Sequence, residues 1–134
     1  LNADPAIITA WANDFTYEDV FARQVEAYVQ KGDILIGIST SGMSSNIVAA
    51  FKAARARGVR CIGLLGHTGG VLKEISDIAI IIPSKDTARI QEVHIHIMHT
   101  ICEVVEQRVM DRIMKDIPYH AHRSVIGMER KERL

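Results

Sequence analysis

A chain of 134 residues has the length of one domain, long enough to bury a core and short for two. Its 48% hydrophobic content and its 16 basic against 16 acidic residues fit a globular protein without the charge excess that nucleic acid or an anionic membrane surface selects, so neither is an expected partner. No apolar run approaches the roughly 20 residues of a membrane span and no basic segment backed by an apolar stretch opens the chain, which makes a cytoplasmic location the expectation.

The chain starts at Leu1, without an initiator Met, and passes through Asn2-Ala3-Asp4-Pro5 into a short apolar stretch, as a fragment would. Over residues 17–30, Val20, Phe21, Val25, Tyr28 and Val29 recur at helical spacing, and Lys31-Gly32 reads as a basic last turn closed by a C-cap glycine. Ile34-Leu35-Ile36-Gly37-Ile38 is an unbroken apolar run between turn signals, the signature of a strand buried on both faces of a parallel sheet. Asn46 to Arg57 is rich in helix formers and Gly58 closes it. The grammar then repeats: strand 59–65, loop 66–70, short helix 71–75, strand 77–82 stopped by Pro83, and a long helix from about Ala88 to Met114 capped by Asp86 or Thr87.

Strand and helix alternating across short joints predict an α/β fold, a doubly wound parallel sheet with right-handed crossovers and ligands at the carboxyl ends of the strands. One domain over 1–114 and a C-terminal tail over 115–134 are the expected division, the tail acting as an arm or subunit contact. Cys61 and Cys102 lack CxxC or Cys/His spacing and read as reduced core thiols. His67 lies between glycines, as a turn or pocket-rim residue does, and His120 and His122 in the tail receive no role.

The segment Ser39-Thr40-Ser41-Gly42-Met43-Ser44 leaves a buried strand and enters a helix. A helix N-terminus offers unpaired N–H groups and about half a positive charge, hydroxyls add neutral donors, and a glycine lets backbone approach an anion. Neither GxxxxGK[ST] nor GxGxxG is present and no lysine sits in the loop, so a phosphomonoester fits better than a nucleotide triphosphate. Against this stands an ordinary serine-rich cap and turn.

The run ARIQEVHIHIMH concentrates three histidines, a glutamate and a glutamine. At about 100° per residue Glu92, His96, His99 and Glu103 share a stripe, with Gln91, Ile95, Met98 and Cys102 on an adjoining, more apolar one. His99, near the border, is a candidate acid or base at neutral pH, although a solvated or subunit-facing stripe reads equally well.

Asn13-Asp14-Phe15, Glu18-Asp19-Val20-Phe21, GDILIGISTSGMSSNIVAAFKAARARGV, GLLGHTGG and ARIQEVHIHIMH together resemble the phosphoheptose isomerases of the sugar isomerase (SIS) domain class, over positions 12 to 108. The resemblance implies a flavodoxin-like three-layer sandwich, usually homotetrameric, interconverting sedoheptulose 7-phosphate and D-glycero-D-manno-heptose 7-phosphate for surface polysaccharide. It implies phosphate contacts from Ser39, Thr40, Ser41 and Ser44, sugar contact from Asp14, His99 as catalytic histidine and Gln91 as its companion. In some members zinc lies between those last two and two further ligands. Met43 replaces a usual Asn, Ala88 replaces an aspartate of some members, and the family's opening helix, first strand, Gly-Asn-Gly-Gly-Ser loop and the helix bearing its His and Glu have no counterpart in this chain. A non-catalytic SIS protein that binds a replication initiator, or one that senses a sugar phosphate, is the alternative; His99, where the initiator-binding group is expected to carry Asn, favours the enzyme.

Overall fold

The computed structural model describes residue 1 and residues 3–116, so the tail beyond 116, with His120 and His122, lies outside the described residues. The elements run α1 (Pro5–Asp14), a 3-10 turn (Tyr17–Asp19), α2 (Val20–Tyr28), β1 (Ile34–Ser39), α3 (Ser45–Ala56), β2 (Arg60–Gly66), α4 (Gly70–Ile75), β3 (Ile78–Ile82) and α5 (Thr87–Asp116). They fall into two compact units, Leu1–His94 and Ile95–Leu134, and α5 begins in the first and continues in the second.

In the first unit the three strands are parallel in the order β1-β2-β3, with Ile36 opposite Ile62 and Ile62 opposite Ile78. Parallel neighbours need crossovers, and α3 and α4 supply them. The face carrying Leu35, Cys61 and Leu65 packs on Phe51, Ala54 and Leu72, and α2 adds Val25 to the same core. The opposite face receives the first turns of α5, where Ile90 is fully buried. The α/β class and parallel sheet expected from the chain are therefore present.

Three details differ from expectation. Helix α2 starts only at Val20, behind the 3-10 turn, and stops at Tyr28; Val29 is already extended at φ −81° and ψ 134°. Gly32, at φ +103°, serves the turn into β1, which Asp33 closes by accepting from the Gln30 N–H at 2.9 Å. A helix at Pro5–Asp14 went unpredicted although Asp4 caps it, accepting from the Ala6 N–H at 2.8 Å, and Pro5 stands at its first position. Finally, β1 is not buried on both faces. Ile34, Ile36 and Ile38 stay 53%, 42% and 42% exposed, because α2, α3 and α4 serve the opposite face and Ile90 of α5 meets the sheet at Gly66, the far end of β2.

Of the two thiols only Cys61 is in the core; Cys102 is exposed on α5. Among the described residues no helix is long and apolar enough to cross a membrane.

Candidate active site

β1 ends at Ser39 and α3 begins at Ser45, so the expected hydroxyl loop occupies the carboxyl edge of the sheet. Ser39 is only 4% exposed and its Oγ is the loop's internal hub. That oxygen accepts from the Gly42 N–H at 3.0 Å and lies 2.8 Å from Ser44 Oγ and 3.4 Å from Ser41 Oγ. The Met43 N–H in turn donates to Ser41 Oγ at 3.1 Å. Thr40 and Ser44 are half-buried, and Ser41 faces solvent.

The helix behind the loop supplies the electrostatics. Ser44 is the N-cap residue of the 12-residue α3, yet its side chain makes no cap bond because it turns to Ser39 instead. Its carbonyl accepts from the Ile47 and Val48 N–H groups, at 3.1 and 3.0 Å. No hydrogen bond among the described residues takes the N–H groups of Ser45 and Asn46, the first two of the helix. Two amides without a partner among the described residues, the positive end of a helix dipole and hydroxyls beside them are groups that can receive an anion.

A second loop braces the first. The Leu72 N–H donates to Gly42 O at 3.0 Å and the Val71 N–H to Met43 Sδ at 3.3 Å. Gly42 has φ +68°, and a Cβ there would strike the Gly69 carbonyl. At Gly70 a Cβ would stand 2.5 Å from Gly42 O, so both loops need glycine where their backbones cross. His67 lies in this second loop, exposed, at φ +55°, its N–H donating to Ser84 O at 3.2 Å; it is a turn residue.

The other expected residues are placed separately. Asp14 ends α1, exposed, and its Oδ1 accepts from Asn13 Nδ2 at 2.9 Å; no described hydrogen bond joins it to the hydroxyl loop. Gln91 is exposed in the first turns of α5, which Asp86 caps by accepting from the Ala88 N–H at 2.9 Å. Beside it, Arg89 Nη1 lies 2.8 Å from Glu92 Oε2. His96 and His99 belong to the second unit and are exposed. The inward stripe of the first turns is Ile90 and His94, not the Gln91 stripe. His94 is 1% exposed, its Nε2 3.1 Å from Leu65 O; its place one turn beyond Ile90 puts it on the inward face but does not by itself single it out from His96 and His99.

Zinc would need three or four ligands. Gln91 and His99 are two donors, and among the described residues no three His, Cys, Asp or Glu side chains stand close enough to hold an ion. The described residues do not by themselves make a zinc site.

Comparison with known proteins bears on the whole arrangement. A family model described as SIS domain matches residues 2–66. The chain is similar to a phosphoheptose isomerase of Helicobacter pylori, 51% identical over 107 residues, which covers 80% of this chain and 56% of that protein. A phosphoheptose isomerase of a Roseiflexus species is 50% identical over 111 residues, 83% of this chain and 56% of that protein. Among solved structures, the phosphoheptose isomerase of Neisseria gonorrhoeae superposes with a TM-score of 0.75 at 40% identity, across 77% of this chain and 59% of that one. The chain thus spans 56% of the length of these curated relatives.

Proposed function

We propose that this chain is a SIS-domain protein and that it is an aldose-ketose isomerase interconverting sedoheptulose 7-phosphate and D-glycero-D-manno-heptose 7-phosphate. The observation that carries it is the Ser39–Ser44 loop, with an exposed Ser41 hydroxyl next to two unpaired amides at the head of α3. A phosphate dianion suits that seat, and holding it anchors a long sugar by the end remote from the reaction. Binding energy spent there orients C1 and C2 for proton transfer.

The reaction moves a proton between C1 and C2 through a cis-enediol, and needs one group to take the carbon-bound proton and another to serve the oxygens. His99 takes one of these roles in the proposal, and Gln91 is assigned as its companion, both on the strength of the family likeness. Asp14 is assigned to the sugar hydroxyls on the same ground. Zinc, a homotetramer, a cytoplasmic location and a place in surface-polysaccharide precursor synthesis belong to the proposal as well. Gln91 and His99 are the residues of this chain that the likeness assigns to zinc, and no step here is routed through it.

The test is direct. Incubated with sedoheptulose 7-phosphate, the full-length protein is expected to form the aldose phosphate, detectable by NMR. His99→Asn is expected to abolish turnover while leaving phosphate affinity nearly intact. Ser41→Ala is expected to raise KM about tenfold, the worth of one hydrogen bond to a charged group. A folded protein that binds the sugar phosphate and forms no aldose would instead support the non-catalytic reading.

A further inference from the structure

His94 is the least expected polar residue of the core. It is 1% exposed, in the same stripe of α5 as the fully buried Ile90. Its Nε2 lies 3.1 Å from the Leu65 carbonyl oxygen, and a carbonyl only accepts, so the ring nitrogen donates. Nδ1 is buried without a partner among the described residues. A buried imidazole kept at that cost, where a leucine would pack, calls for a role that packing does not supply.

Its location suggests one. Leu65 is the penultimate residue of β2, and the next residue, Gly66, packs directly against Ile90 of α5. A Cβ at Gly66 would stand 2.5 Å from Ile90 Cδ1 and would also strike the Thr40 carbonyl. The carboxyl end of β2 is therefore wedged between the hydroxyl loop and the first turns of α5. Ile90 is an apolar contact that tolerates rotation of the helix about its axis; a hydrogen bond to one carbonyl does not. Gln91 follows Ile90 and precedes His94 by three residues, one turn away on the same helix.

We propose that His94 is a positioning residue whose ring N–H, bonded to the Leu65 carbonyl, fixes the rotation of the first turns of α5 and so sets Gln91 relative to the hydroxyl loop. The catalytic consequence rests on the isomerase reading; the mechanical one does not. The hydrogen bond makes the carboxyl end of β2 a common reference for the anion seat and for the helix that carries Gln91.

Two variants of the full-length protein separate the hydrogen bond from the packing. His94→Phe keeps the ring volume and loses the donor, whereas His94→Gln restores an N–H of similar reach. With His94→Phe, amide exchange over residues 91–95 is expected to accelerate about tenfold while that of β2 stays unchanged. Its kcat is expected to fall about ten- to a hundredfold, with KM and the affinity for inorganic phosphate within about twofold of the parent. His94→Gln is expected to recover most of both losses. Parental exchange and kcat in a folded His94→Phe protein would overturn the proposal, as would equal losses in the two variants, which assign the effect to packing. A parent without isomerase activity refutes the isomerase reading alone, since the exchange comparison still decides the role of His94.

Discussion

Gly42 sits at φ +68° with the Gly69 carbonyl where its side chain would be, so Gly42→Ala meets both a left-handed backbone penalty and a backbone clash. The expected loss is about 2–3 kcal/mol in urea unfolding, together with weakened phosphate binding as the two loops separate. Cys61 behaves differently from Cys102. Burial pushes its thiol pKa up, the Asp77 carboxylate adds to the rise, and Arg55 opposes it. In the native protein Cys102 is expected to react with a thiol reagent and Cys61 only after unfolding. Because the folded thiol holds its proton to higher pH than the unfolded one, the native state binds more protons once pH exceeds the usual thiol range of about 8.5. Stability is thus expected to decline as pH climbs through that range, and less steeply in Cys61→Ala, as urea midpoints between neutral and alkaline pH would show.

Among the elements, β1 and α3 read most clearly from the sequence, because a short apolar run, a hydroxyl loop and an alanine-rich segment leave few alternatives. The loop's placement was legible for the same reason, although its interior was not. Composition makes Ser39 one hydroxyl among several, whereas the fold buries it and sets it to organise Gly42, Ser41 and Ser44. Helix α1 went unread despite its Asp4-Pro5 start because none of its residues is buried and its apolar positions form no inward stripe. In α5 the histidine density drew attention to His96 and His99, while the histidine that meets the sheet is His94, a tertiary contact that spacing alone does not rank. Burial on the two faces of β1 also differs from a symmetric strand. Ile36→Thr is expected to change stability by under about 0.5 kcal/mol, whereas Leu65→Ala, at a fully buried position, should cost about 2–5 kcal/mol. Chemical denaturation of the two variants checks the contrast.

Across the whole molecule, the parallel sheet places both glycine-dependent loops at its carboxyl edge, the place where α/β proteins bind ligands. Identity of 51% to a phosphoheptose isomerase, spread over 80% of this chain, extends through that edge and through the helix that follows β3. The isomerase reading requires that the head of α3 and the loop before it seat a phosphate monoester. An NMR titration of the protein with sedoheptulose 7-phosphate, with inorganic phosphate in parallel, reads it directly. Saturable shifts centred on the amides of Ser41, Ser45 and Asn46, diminished in Ser41→Ala, are the expected result; a folded protein whose loop amides do not move at millimolar ligand would contradict it.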